Sequence, residues 1–291
     1  GVEAVDLSGQ TVLATGSTDG IGRETALALG RLGATVFVHG RDREKGRGVV
    51  DQIDDAGGEG ALLVADFASL DAVRDLADEV AEAGPLDVLV NNAGGYFHRG
   101  RLTAEGFEYT FGVNHLAPFL LTNRLRPHLA DSARVVTTAS GAHRGADGID
   151  FDGVQTVEGY RAMRAYAQSK LANILFSAAL ARRLDGATSN SFHPGFVPGS
   201  AFPREVPAPV RAAMRAIRYL PDVVAGRFTN SVVEGAATAV YLSAAPDVAS
   251  ATGRYLVDCE PATPTETARD RDLQERLWSR SAEWVGLDEA G

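Results

Sequence analysis

Lysine is almost missing from this chain: of its 28 basic residues only Lys45 and Lys170 are lysines, and the rest are arginines. Cysteine is scarcer still. The lone Cys259 rules out an intramolecular disulfide, and no Cys/His group has metal-ligand spacing, so a disulfide scaffold and a structural zinc site are both excluded. No run approaches the ~18–20 apolar residues that a membrane-spanning helix needs. The stretch Gly1-Val2-Glu3-Ala4-Val5-Asp6 has neither the basic start nor the apolar core of a secretory leader. These gaps lead to the expectation of a soluble protein of the reducing cytoplasm. An excess of positive charge is lacking as well. The net charge of -10 argues against nucleic acid or anionic membrane as the main partner and leaves a small molecule. No linker, repeat or low-complexity segment divides the 291 residues, and a hydrophobic share of 45% is ample for one core, so a single domain is expected.

What the chain does contain is a regular alternation. Short apolar runs at Thr11–Thr15, Thr35–His39, Ala61–Ala65, Leu86–Val90, Arg134–Thr138, Thr188–Phe192 and Gly253–Asp258 read as strands. Between them, Arg23–Arg31, Leu70–Ala83, Phe107–Leu121, Leu171–Leu184 and Val233–Ala245 read as helices, and Asp270–Trp284 as a last one anchored by Trp278 and Trp284. This order predicts an α/β protein, a Rossmann-type doubly wound and mostly parallel sheet with helices on both faces.

Between the first strand and the first helix lies Thr15-Gly16-Ser17-Thr18-Asp19-Gly20-Ile21-Gly22. Its glycines let the backbone approach a pyrophosphate, and a helix starting near Ile21 offers free N–H groups and a positive dipole end. Gly16, Ser17, Thr18, Gly20, Ile21 and Gly22 are therefore candidate cofactor contacts. An NAD site commonly puts an acid about 20 residues past the turn to bind the ribose 2′-OH, whereas arginine suits a 2′-phosphate. Gly40 stands at that place and Arg41 follows it, so NADP(H) is favoured and NAD(H) stays open. Arg43 and Lys45 either assist or belong to a solvated loop. Asp19 argues the other way, because its charge would repel a phosphate if it faced the pocket. After the fourth strand comes Asn91-Asn92-Ala93-Gly94, whose short side chains suit a ligand lying across the carboxyl edge of the sheet. Asn92, Ala93 and Gly94 are the expected contacts and Asn91 a structural residue.

A phenol and an ammonium four residues apart, Tyr166 and Lys170, share one helix face. A tyrosine near its usual pKa of about 10 is a poor acid or base at neutral pH. Lowering it by about 2–3 units takes ~3–4 kcal/mol, which one positive charge ~4 Å away supplies at an effective dielectric of about 20. Taken alone, the spacing is also that of an ordinary exposed pair. Ser140, at the end of the strand at 134–138, invites a nucleophile reading, but Thr138 and Ala142 stand where a hydrolase elbow requires glycine. Its hydroxyl can instead donate to a carbonyl oxygen as charge develops there; a plain turn serine is the alternative.

In this chain order, the glycine turn at 15–22, Asn91 to Gly94, Asn114, Ser140 and Tyr166/Lys170 resemble the short-chain dehydrogenase/reductase family, from about residue 8 to the end. Ser140-Gly141-Ala142-His143 is similar to its retinol-dehydrogenase-like group. So are the long gap to Tyr166, with Ile149 to Asp152 and Tyr160 inside it, the run Leu171 to Phe176, and Gly253-x-Tyr255-x-x-Asp258-Cys259. The resemblance implies hydride transfer between a nicotinamide cofactor and an alcohol or carbonyl. Tyr166 would pass the proton, Lys170 lower its pKa and hold the nicotinamide ribose, Ser140 bond the substrate oxygen, and Asn114 support a proton relay through a water on its backbone. It further implies Asp66 and Phe67 as adenine contacts, and Pro194, Gly195 and Val197 as nicotinamide contacts; Asp66 also reads as an N-cap for the next helix. Departures from the pattern stand at Gly199, where the family usually has threonine, and at Pro118, where the subgroup usually has histidine. His115, in Val113-Asn114-His115-Leu116, reads as a packing residue, and Cys259 as inert.

The resemblance implies that residues 201–229 form a substrate lid. Their Val206, Val210, Met214, Ile217 and Leu220 suit either a hydrophobic substrate or the inner face of a small packed helix. Residues 263–291 read as a C-terminal extension, and a homo-oligomer is open. Two other readings stand beside the NADP(H)-dependent oxidoreductase: an NAD-preferring alcohol dehydrogenase of the same family, and a protein that senses NADP(H) without turnover.

Overall fold

The computed structural model describes residues 2–197 and 230–287. The lid expected at 201–229, the departure at Gly199 and the end of the C-terminal extension lie outside the described residues. Strand β1 (Thr11–Ala14) shows how the sheet is built. Leu13 enters one core while Val12 and Ala14 enter the other, so both faces are buried and the run is apolar throughout. After it come α1 (Gly20–Arg31), β2 (Thr35–Gly40), α2 (Arg43–Asp55), β3 (Glu59–Val64), α3 (Leu70–Glu82) and β4 (Leu86–Asn91). A helical stretch then passes through α4 (Tyr109–Phe111), a π-helical turn (Gly112–Leu116) and α5 (Ala117–Leu125) to β5 (Leu129–Thr138). The rest comprises α6 (Ala162–Ala181), β6 (Thr188–His193), α7 (Val232–Ala244), β7 (Tyr255–Val257), β8 (Glu260–Pro261), α8 (Glu266–Arg269) and α9 (Arg271–Val285).

Among the described residues eight strands form one sheet in the order β3-β2-β1-β4-β5-β6-β7-β8, parallel except for β8. The doubly wound, single-domain α/β architecture is the one expected. Strand order reverses between β1 and β4, and the crevice at their carboxyl ends is where such sheets bind ligands. No helix among the described residues is long and apolar enough to cross a membrane.

Two elements differ from expectation. Helix α2, for which no element was expected, carries Arg43 and Lys45, which were open between a phosphate contact and a solvated loop; Asp42 caps it, and only Gly46, Val49 and Ile53 are buried, too thin an apolar stripe to announce a helix. The helix expected at 107–121 starts at Tyr109 and is interrupted by the π-helical turn, where Ala117 N–H reaches back five residues to Gly112 O. Pro118 has no N–H to give the Asn114 carbonyl, so regular α-helical bonding stops beside that residue. Such turns often mark functional sites.

Helix α6 carries no Gly or Pro and is rich in alanine and leucine, which favours the helix. It is buried nearly all round: one side lies on the sheet and the other under α9. There Trp278 packs on Phe119 and Phe176, with ring centres 5.0 and 5.9 Å away, and the Arg183 guanidinium lies 4.2 Å from the indole centre. Trp284 meets Phe107, Phe111 and Phe151. Asp258 and Cys259, both at positive φ, form the tight turn between β7 and β8.

Candidate active site

A cleft of about 550 Å³ opens at the carboxyl edge of the sheet. Of the sequence-predicted site residues, Gly16, Thr18, Gly20, Ile21, Gly22, Arg41, Asp66, Phe67, Asn92, Ala93, Gly94, Ser140, Tyr166, Lys170, Pro194, Gly195 and Val197 line it. Ser17 and Asn114 stand behind the wall. Ser17 is fully buried; its hydroxyl donates to Ala14 O (2.6 Å) and accepts from His39 N (3.0 Å), which ties β1 to β2.

The floor of the nucleotide end is bare backbone for a steric reason. A Cβ on Gly16 would lie 2.7 Å from Ala93 Cα, and one on Gly22 would lie 2.3 Å from Asn92 Nδ2. Only glycine lets the ends of β1 and β4 come this close. Helix α1 begins at Gly20, whose N–H is taken by the Asp19 carboxylate at 2.7 Å, while Ile21 and Gly22 bring the rest of the first turn to the cleft. These features fit a pyrophosphate, so the residues present suit a dinucleotide.

His39 is a member of this site that the sequence gave no cause to suspect, since it simply ends a buried strand. Its Nδ1 accepts from Gly16 N–H (3.3 Å), its Nε2 donates to Ala65 O (3.2 Å), and its ring stacks on Phe67 with centres 4.7 Å apart. Burial pushes its pKa down to about 4, so the ring is neutral and its two bonds fix the tautomer. Asp19, the objection to a bound phosphate, is occupied as the α1 cap and as the partner of Lys45 Nζ at 3.0 Å. Thr18 fills the space beside Gly40, where a Cβ would lie 2.5 Å from Thr18 Cγ2. Arg41 Nη1 lies 3.4 Å from Tyr109 Oη and 3.6 Å from Asp66 Oδ2, and its side chain is 62% exposed. Asp66 is not the cap of α3. Ser69 does that, while Asp66 accepts from Ala68 N–H.

At the other end the polar residues converge. Tyr166 and Lys170 lie on α6, buried, and Ser140 ends the β5 segment in extended backbone. The Ser140 side chain approaches the Tyr166 phenol and draws its pKa down a little. The Ser140 Oγ accepts Ala142 N–H at 3.2 Å, which orients it. His143 Nδ1–H donates to Ser140 O (2.7 Å), and its Nε2 accepts from Thr265 N (3.4 Å), so the S-x-A-H run braces this turn against the C-terminal segment. Lys170 Nζ donates to Thr138 O at 3.1 Å and lies 5.8 Å from the Tyr166 ring centre. Burial pushes Tyr166 up to about 12, only partly offset by the nearby Ser140 side chain, and pushes Lys170 down to about 8. Burial is the larger influence on the phenol, where the sequence led to a lowering by the lysine, and the ammonium directs its own bond at a carbonyl.

Asn114 acts on the loop after β4. Its Nδ2 donates to Gly95 O (3.0 Å) and Ser169 Oγ (2.9 Å), and its Oδ1 accepts from Gly95 N (2.8 Å). Tyr160 Oη donates to Phe97 O at 2.6 Å, pinning the same loop. The loop presents Tyr96 and Phe97 to the cleft opposite Met163 and Phe196, an apolar rim that sequence reading did not identify. Asn91 is structural, bonding Thr122 Oγ1 at 2.8 Å.

The family profile described as short chain dehydrogenase matches residues 10–206. The chain belongs to the short-chain dehydrogenase/reductase family. It is 39% identical over 298 residues to retinol dehydrogenase 14 of Mus musculus, covering 97% of this chain and 87% of the relative. To polyprenol dehydrogenase of the same species it is 40% identical over 291 residues, covering 96% and 84%. A short chain dehydrogenase from Burkholderia cenocepacia J2315, solved in complex with NADP, is similar with a TM-score of 0.67 and 30% identity, over 86% of this chain and 96% of that one. This short-chain dehydrogenase is of the retinol-dehydrogenase-like group, an oxidoreductase acting on CH–OH or C=O with a nicotinamide dinucleotide.

Proposed function

We propose that this short-chain dehydrogenase uses NADP(H) to interconvert an alcohol and a carbonyl on an extended apolar substrate. One observation carries the reading: Ser140 and the buried Tyr166 and Lys170 line one end of the same cleft, inside an apolar rim. The bound nicotinamide supplies or accepts the hydride. Ser140 Oγ takes the Ala142 N–H as acceptor, which leaves its own proton to give to the substrate oxygen. Tyr166 gives the proton to that oxygen in reduction and takes it in oxidation. Lys170, with a pKa near 8, exchanges protons close to neutral pH and so restores the phenol. Asn114 holds the Gly95 loop against α6 and keeps the rim in place.

Preference for NADP(H) is supported by Arg41 at the end of β2, by Thr18 filling the place an acid at position 40 would take, and by Lys45 neutralising Asp19. The apolar substrate is supported by Tyr96, Phe97, Met163 and Phe196, and by relatives named for retinol and polyprenol, both long apolar alcohols. Mixing the protein with NADPH and a panel that includes decanal, retinal and aromatic ketones, then following loss of NADPH absorbance, tests this. Turnover of the long aldehydes is expected. Tight NADPH binding with no oxidation across the panel would instead support a cofactor sensor.

A further inference from the structure

Two motifs stand outside the reaction just described: His115 on the π-helical turn, and Asn173 on α6, three residues past the lysine. The fold joins them. Asn173 Nδ2 donates to Thr138 O at 3.0 Å, the same oxygen that takes Lys170 Nζ at 3.1 Å. Asn173 Oδ1 and His115 Nδ1 are both buried and make no hydrogen bond among the described residues, and Asn173 is the side chain that lifts the His115 pKa against burial. His115 Nε2 meets Ser281 Oγ of α9 at 2.9 Å. Burial holds this imidazole neutral, pushed down to about 3, and one tautomer suits both neighbours: an Nδ1–H on the Asn173 side and Nε2 accepting from Ser281. A polar thread thus crosses the cluster of Phe111, Phe119 and Phe176, from the C-terminal helix to the ammonium.

Such a thread is costly in an aromatic core, where a buried polar atom loses its water. It has one evident use. The two ends of an asparagine amide have nearly the same shape, and a flipped Asn173 would set its oxygen against the Thr138 carbonyl. The Thr138 carbonyl selects the NH₂ end, and an Nδ1–H on His115 favours the same orientation by meeting the oxygen end.

We propose that Asn173 is a positioning residue for Lys170, sharing the Thr138 carbonyl with the ammonium and fixing where it rests, and that His115, anchored by Ser281, holds the Asn173 amide in register. The inference rests on the assignment of Lys170 to the reaction. Other titratable side chains at this end of the cleft are Tyr166, His143 and His193, and the variants below leave them in place.

Because the chain has only two lysines, a Lys45→Arg protein carrying isotope-labelled lysine at Cε gives one side-chain signal, and its pH titration reads Lys170 without substrate. In that background Asn173→Leu and His115→Phe are compared with Ser177→Ala. The control removes a buried hydroxyl bonded to Ser189 Oγ at 3.1 Å, one turn farther along the same face of α6. Asn173→Leu is expected to raise the Lys170 midpoint by about half a pH unit or more, since both lone pairs of the carbonyl then serve the ammonium. It should also lower kcat with NADPH and the fastest carbonyl of the panel by about 10-fold. His115→Phe should shift both in the same direction by less, and the double variant should be no worse than Asn173→Leu alone. Ser177→Ala should move neither. If Asn173→Leu does not fold, Ser281→Ala carries the same expectation as His115→Phe. An unchanged Lys170 titration, an equal shift in Ser177→Ala, or strict additivity in the double variant overturns the proposal. Failure of the underlying functional reading looks different: the parent protein would titrate as described and still not oxidise NADPH.

Discussion

The Lys170 ammonium lies 5.8 Å from the centre of the Tyr166 ring, yet its hydrogen bond goes to the Thr138 carbonyl. The two groups are neighbours on one helix face, and burial drives both toward their neutral forms, the phenol to about 12 and the amine to about 8.

That burial has a consequence for stability. Between pH 8 and 10.5 the unfolded chain binds a proton at this lysine that the folded chain has lost, so the Lys170 contribution makes stability rise with pH; below about 8 both states hold it and the folded one carries the desolvation cost. Lys170→Met should therefore be more stable than the parent at pH 7, by up to about 3 kcal/mol at about 1.4 kcal/mol per unit. The gap should close by pH 10.5. Tyr166 acts oppositely from pH 10 to 12, where the unfolded phenol loses a proton that the folded one keeps. Urea unfolding of both proteins at neutral and alkaline pH checks the sign.

Removing the phenolic oxygen should separate chemistry from binding. Tyr166→Phe keeps the ring against Tyr96 and loses the phenolic oxygen near Ser140. A fall in kcat of about 10²–10⁴-fold is expected, with NADPH affinity, read by fluorescence titration, changed less than about threefold. Retained turnover would remove Tyr166 from the reaction.

The adenosine end should discriminate by charge. Arg41→Ala should lower kcat/KM for NADPH by about 10–100-fold, the worth of one lost charge-assisted hydrogen bond, and Lys45→Ala should do so more weakly while unmasking Asp19. Neither should affect NADH much. A parent enzyme that prefers NADH and ignores Arg41→Ala would overturn the assignment.

His39→Phe preserves the stack on Phe67 but loses the bonds to Gly16 N and Ala65 O. A stability loss of about 1–3 kcal/mol at neutral pH is expected, with weaker NADPH binding as the glycine turn loosens. The acid limb should change too. Between pH 6.5 and about 4 the unfolded imidazole takes up a proton that the buried one refuses, so the parent loses stability as pH falls through this window. The variant's slope should be shallower by the His39 share, up to about 1.4 kcal/mol per pH unit, with the rest left by His115, in thermal melts across the range.

Much of this architecture was legible because it rests on local rules. Buried strands announce themselves by continuous apolar runs, and the glycine turn by a backbone that must come within contact of Ala93 and Asn92. What escaped depends on distant neighbours. Helix α2 hides because glycine replaces bulk on its inner face, under Leu62. Pro118 marks a break in the helix, but that the break becomes a π-helical turn depends on the five-residue bond from Ala117 to Gly112. His39 and His115 read as strand end and packing because their partners, Ala65 and Ser281, lie 26 and 166 residues away. The sign of the Tyr166 shift escaped for a similar reason, since desolvation is a property of the assembled core.

The rarity of lysine makes the surface chemically selective. With the amine on α6 only 4% exposed and Lys45 49% exposed at the side chain, acylating reagents have one accessible lysine side chain, at the nucleotide mouth. Coupling the protein to a support through lysine would therefore obstruct the cleft, and saturating cofactor should shield Lys45 from the reagent.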